Sequence, residues 1–141
     1  MVTPPTPGVE FEGVHCHLRI TRPAPGIVLV VLKGSDIGEF GDLPMGEISK
    51  DFDTFGSIEL FIDARAVRGA SIEVSSAWAF WLAAHRSRLS RINMLTGSRY
   101  IEITAAFVRR FSGLVGRMRL FADSAAFDES LAQSIRWAQA A

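Results

Sequence analysis

Six consecutive apolar residues, Ile27-Val28-Leu29-Val30-Val31-Leu32, most of them β-branched, constrain this chain more than any other stretch. A run so short and so uniform is buried as a strand covered on both faces, which requires layers above and below a sheet. The flanking segments supply them. Val14 to Ile20 loosely alternates apolar and polar residues, and Arg22-Pro23-Ala24-Pro25-Gly26 carries turn chemistry, so the two strands are expected to form a hairpin. Beyond the central run, Gly34, Gly38 and Gly41 punctuate a loop, and a helix follows with Met45, Ile48, Phe52 and Phe55 at helical spacing, Asp42 as candidate cap and Gly56 at its end.

The alternation then repeats. Ile58 to Asp63 is a second buried strand, and residues 64–70 form a short loop containing Arg and Gly. The next helix carries Val74, Ala77, Trp78, Trp81, Leu82, His85 and Leu89 on one stripe, capped by Ser71 or Ser75. Arg91 to Thr96 reads as a strand and Tyr100 to Leu114 as a helix with Ile103, Phe107, Phe111 and Leu114 facing inward. Arg117 to Ala122 is a strand, and the last helix, Ser124 to Trp137, has Phe127, Leu131, Ile135 and Ala138 on its apolar side. The order ββαβαβαβα predicts an α/β fold: an open mixed sheet of about five strands with about four helices, parallel through right-handed crossovers except for an antiparallel first strand. The proline-rich residues 1–12 are expected to be a flexible leader to a single domain, 13–141. A chain of 141 residues with 48% hydrophobic and 21% charged residues has the length and composition for one such core.

Formal net charge is zero, which argues against a general nucleic-acid binder. The zero conceals two opposed halves: residues 1–63 hold ten acids and four bases, a net −6, and residues 64–141 hold five acids and eleven arginines, a net +6. Those charges either complement one another within the fold or orient a partner or a second copy. The single cysteine, Cys16, excludes an internal disulfide and fits a reducing compartment. With no secretory signal at the start and no apolar stretch of the roughly 18 residues needed to span a bilayer, a cytoplasmic protein without an integral membrane segment is expected.

Candidate chemistry is sparse. In His15-Cys16-His17, strand alternation sends the histidines to one face and the cysteine to the other, and two ligands with only His85 elsewhere fall short of a metal site. His85 sits on an apolar stripe, as a hydrogen-bonded boundary residue would. Asp63, His85 and a serine can be written as a triad, but no Gly-x-Ser-x-Gly elbow places the nucleophile. The glycine-rich loop 34–41 matches neither dinucleotide nor P-loop patterns, and Asp36 and Glu39 would repel a phosphate, so its glycines are read as conformational. No metal, no cofactor and no catalytic activity are expected. Arg86, Arg88, Arg91, Arg99, Arg109 and Arg110 form either a solvated face or a surface for an anion or acidic partner.

The strand ending at Asp63 followed by a helix through Leu89 resembles the STAS domain of anti-sigma factor antagonists, more closely its SpoIIAA-like or STAS/SEC14-like branch. The segments Arg91-Ile92-Asn93-Met94-Leu95-Thr96-Gly97-Ser98 and Met118-Arg119-Leu120-Phe121-Ala122-Asp123, leading into Phe127-Asp128-Glu129-Ser130-Leu131, extend the resemblance over residues 14–138. The resemblance implies a non-enzymatic regulatory or protein-interaction module. Switching members of the family place a phosphorylatable Ser or Thr directly after the strand-terminal Asp. Here seven residues, Ala64 to Ala70, intervene, leaving Ser71, Ser75 and Ser76 as candidate acceptors. The expected working face comprises Asp63, Arg65, Arg68, Ser71, Ser75, Trp78 and Trp81, contacting a protein partner or a second copy in a homodimer. Since Trp78, Phe80 and Trp81 cannot all point inward from one helix, an aromatic is left for that contact. The SEC14-like side of the resemblance implies an alternative: binding of a lipid or other apolar small molecule in a cavity between sheet and helices, lined by Phe107, Phe111 and Trp81.

Overall fold

The computed structural model describes residues 8–140. In chain order the elements are β1 (Val9–Glu12), β2 (Cys16–Ala24), β3 (Ile27–Asp36), α1 (Leu43–Phe55), β4 (Ile58–Ala70), α2 (Ile72–Ala84), β5 (Leu89–Thr96), α3 (Arg99–Phe111), β6 (Met118–Phe121) and α4 (Ser124–Ala140), with a 3₁₀ turn at Arg86–Arg88. The strands form one sheet whose spatial order copies the chain, β1-β2-β3-β4-β5-β6. The first two pairings are antiparallel and the remaining three parallel. Successive right-handed crossovers stepping in one direction deliver α1, α2 and α3 to the same face. That face buries Leu18, Ile20, Val28, Val30, Leu60 and Ile92 against Ile48, Phe52, Leu82 and Val108. Among the described residues the other face is covered by α4, with Phe127 packed on Phe61 and Phe121 and supported by Leu131, Ile135 and Ala138.

The mixed α/β architecture and the inward face of α4 are as the patterning predicts. Four details differ. The sheet has six strands: β1 lies in the stretch expected to be leader, held by the pairs Val9↔Ile20 and Phe11↔Leu18, while residues 1–7 lie outside the described residues. The expected loop 64–70 continues β4, because Lys33 to Asp36 of β3 remain extended and pair with Ala66 to Ala70. Leu89 opens β5 rather than ending the stripe of α2. Finally, α3 is turned about a third of a revolution from the expected phase: Ile101, Ala105 and Val108 face the core, whereas Ile103, Phe107 and Phe111 face outward. Two apolar stripes compete on that helix, and periodicity cannot rank them. Tertiary packing decides between them, burying Ile101, Ala105 and Val108. Ser98 Oγ accepts from Ile101 N–H at 3.2 Å, and buried Ser112 Oγ donates toward the carbonyls of Val108 at 2.7 Å and Ala79 at 3.1 Å, fastening α3 to α2.

The hairpin and α1 are joined by a part-buried charge group. Arg22 Nη2 donates to Asp51 Oδ1 at 2.7 Å and to the Glu47 carbonyl at 3.0 Å, its Nε reaches both Asp51 oxygens, and Lys50 Nζ lies 2.8 Å from Glu47. Hydrogen bonding to Asp51, above all, raises the Arg22 pKa further, and Lys50 and Arg22 hold Glu47 below the ordinary carboxylate range.

Candidate interaction face

The helix α2 carries a single charge, Glu73, in thirteen residues, yet only Ala79 and Leu82 are fully buried. A helix apolar all round belongs inside a protein, whereas this one lies at the surface. Its Phe80 is 65% exposed, and beside it stand Phe107 and Phe111 of α3 at 65% and 55%. The three rings touch: Phe80 meets Phe111 edge-on at 5.8 Å between centroids, and Phe107 stacks on Phe111 at 5.9 Å. Ile103 and Tyr100 extend the patch along α3, and Ile72 stands exposed at the start of α2. These are the side chains whose outward turn the two-stripe ambiguity of α3 concealed.

Arginines cluster at the carboxyl-terminal end of this face. Arg86 and Arg88 follow α2, and Arg109 and Arg110 end α3. Because strand order equals chain order, the charge asymmetry of the sequence becomes an asymmetry across the sheet. It is not neutralised internally: of the eleven arginines from Arg65 onward, only Arg65 and Arg136 make ion pairs among the described residues.

Between α2, α3 and the sheet lies a half-open cavity of about 100 Å³. Leu32, Ile62 and Met94 form its floor, and Trp78, Leu82, Ile101, Ala105 and Val108 its walls, toward the carboxyl ends of β3 to β5. Phe107, Phe111 and Trp81, the expected lining, are elsewhere. An engineered cavity of roughly 150 Å³ admits one benzene ring, so an acyl-chain lipid exceeds this space as it stands. An open hollow of about 340 Å³ occurs at the opposite end of the strands, bordered by Glu59, Ser90, Arg91, Ser134 and Trp137.

A crystal structure of an uncharacterized protein from Shewanella loihica PV-4, described as belonging to the DUF3478 family with a SpoIIAA-like fold, matches with a TM-score of 0.58 at 14% sequence identity. The match covers 86% of this chain and 98% of that one. The fold is SpoIIAA-like. No family model and no curated protein matches the chain.

On this SpoIIAA-like sheet the residues expected to work together are divided. Asp63 accepts from Arg65 Nε at 3.0 Å, and Arg65 Nη2 reaches Asp128 of α4 at 2.8 Å, so this pair faces α4. The Asp63 contact, ahead of that from Asp128, raises the Arg65 pKa. Ser71, Ser75 and Trp78 belong to the opposite face. Ser71 is the N-cap of α2, its Oγ accepting from Val74 N–H at 3.2 Å, while Ser75 and Trp78 line the cavity. Trp81 stacks on Phe52 of α1 and donates its Nε1–H to Ser49 at 3.3 Å. Ser76 and Arg68 are exposed.

Several other titratable groups have structural partners. His85 Nδ1 lies 2.9 Å from the Trp81 carbonyl, and its ring stacks on Phe52. Glu39 accepts from the backbone N–H groups of Val14 and His15 at 2.7 and 2.9 Å; these bonds, the His15 one foremost, lower its pKa. Gly34, at φ +88°, meets the His15 carbonyl so closely that a Cβ there would collide with it. Buried Cys16 is pushed up to about 11, by burial first and by Asp36 and Glu39 second. Glu10, Glu12 and His17 bring one ligand atom each within 4.8 Å of one another on the β1–β2 edge, as the cross-strand register Glu12↔His17 dictates.

Proposed function

We propose that this chain is a non-enzymatic protein-interaction module that receives an acidic partner protein on the outer face of α2 and α3. The observation that carries this reading is the contiguous exposed cluster of Phe80, Phe107 and Phe111 beside arginines without ion pairs among the described residues. Aromatic and arginine side chains dominate the binding energy of protein interfaces, and unpaired surface charge steers an oppositely charged partner toward its seat. The working face thus shifts from Asp63 and the 64–70 segment to the paired helices. His85 against the Trp81 carbonyl and Asp63 against Arg65 are arranged as structural groups, which supports a role without catalysis.

A photo-crosslinking residue at position 107 tests the proposal in cells. Crosslinks to a different, acidic protein are expected, and they should be lost on Arg109→Glu with Arg110→Glu while Phe55, outside the face, gives none. Crosslinks solely between copies of this chain, or none at all, would overturn the assignment.

A further inference from the structure

Counted by histidine and cysteine alone, the segment His15 to His17 lacks the ligands for a metal ion. β1 supplies them as carboxylates. Strand alternation turns Val9 and Phe11 of β1 toward the layer of α1, α2 and α3, where Phe11 packs against Phe40 and the core, so Glu10 and Glu12 stand together on the opposite side. The antiparallel register sets Glu12 opposite His17 and Glu10 opposite Arg19, which places His17 beside both acids. His17 Nε2 lies 3.6 Å from Glu10 Oε2 and 3.8 Å from Glu12 Oε1, and one ligand atom from each of the three comes within 4.8 Å of the others. Arg19 Nε stands 3.6 Å from Oε1 of Glu10, the oxygen that His17 does not use.

Ligand atoms held at about 2.0–2.2 Å by a tetrahedral zinc ion are roughly 3.3–3.6 Å from one another. The two separations from His17 are too long for hydrogen bonds and close to that spacing. We infer that Glu10, Glu12 and His17 bind a single transition-metal dication of the zinc class, which clasps β1 to β2. The ion takes Nε2 of His17 and one oxygen from each glutamate, with water completing its shell. An imidazole among the ligands favours zinc over calcium and magnesium, which prefer oxygen throughout. Arg19 draws on the other oxygen of Glu10 and so orients that carboxylate without competing for the same atom. Two ligands belong to a four-residue edge strand and the third to its neighbour, so the complete site exists only while β1 is docked. The metal thereby sets how firmly β1 is held. The site lies at the β1 edge of the sheet and shares no residue with the outer face of α2 and α3, so it goes beyond the docking reading and does not depend on it.

Calorimetric titration of the full chain with zinc chloride and with calcium chloride, followed by amide hydrogen exchange, tests the site. Zinc is expected to bind one-to-one and saturably, and calcium at least tenfold more weakly. Glu12→Gln and His17→Ala should each weaken zinc binding tenfold or more, with Glu10→Gln taking the place of either variant that fails to fold. His15→Ala, on the adjoining loop, should leave zinc binding within threefold. Zinc at ten times its dissociation constant should slow exchange of the β1 amides paired to β2 by about tenfold, because the ion binds the docked strand alone. Absence of saturable zinc binding, calcium binding within tenfold of zinc, or a loss below tenfold in a folded ligand variant would each overturn the inference. So would a loss beyond threefold in His15→Ala, or β1 exchange that zinc does not slow.

Discussion

The α1 side and the α2–α3 side of this molecule pack against the same face of one sheet, yet they treat polar and apolar groups in opposite ways. On the α1 side, Arg22, Glu47, Lys50 and Asp51 satisfy one another, and Asp51 is only 4% exposed. On the α2–α3 side, Arg86, Arg88, Arg109 and Arg110 have no ion-pair partners among the described residues, and three phenyl rings face solvent. One side closes its charges within the fold; the other leaves arginines and phenyl rings to solvent.

This contrast can be broken most readily at its buried end. Asp51→Ala removes the shortest charged hydrogen bonds of Arg22 and leaves it with Glu47, so it should lower unfolding free energy by about 2–3 kcal/mol in urea titrations. Were the loss below about 1 kcal/mol, as for an exposed pair, the α1 side would not be the closed one. A smaller effect is expected at Cys16, whose folded pKa lies above its unfolded one. Protonated thiol is then favoured by folding, so stability is intact below about pH 9 and declines as pH rises toward about 11. Equilibrium unfolding across that range should show the decline, and Cys16→Ala should flatten it. Smaller again are changes on the open side. Phe107→Ser should shift stability by no more than about 0.5 kcal/mol, being a surface substitution, while reducing retention on a hydrophobic column. The least effect belongs to Arg109→Glu with Arg110→Glu, for which a thermal midpoint within a degree or two of the unaltered chain is expected by calorimetry, about what a few tenths of a kcal/mol amount to at this size.

Much of the architecture was legible because hydrophobic period and chain order are local properties. The run Ile27 to Leu32, the glycine at position 56 and the Phe127-Leu131-Ile135 stripe each specify an element without reference to the rest. What stayed hidden depends on a partner segment. Ala64 to Ala70 has weak strand character by itself and extends because β3 continues past Lys33 to receive it. β1 is four residues that gain meaning only from the register with β2. The candidate face was hidden for the same reason: Phe107 and Phe111 lie on one of two apolar stripes of α3, and which stripe is buried depends on packing against segments distant in sequence, such as α2, where Ser112 meets the Ala79 carbonyl 33 positions away. The available hint was the near absence of charge on α2, which marks a helix in need of cover on more than one side.

A sheet whose spatial order repeats its chain order has a direction of growth. Each strand from β2 to β6 is laid against the one synthesised just before it, so the first helical layer can assemble progressively as the chain emerges, from mostly short-range closures. The second layer cannot. Phe61, Leu95 and Phe121 are distributed over three strands but are covered by one helix, α4, which follows all six strands in the chain. Until Ser124 to Ala140 docks, that side of the six-stranded sheet stays wet, and the seventeen residues of α4 act as the latch that closes it against aggregation.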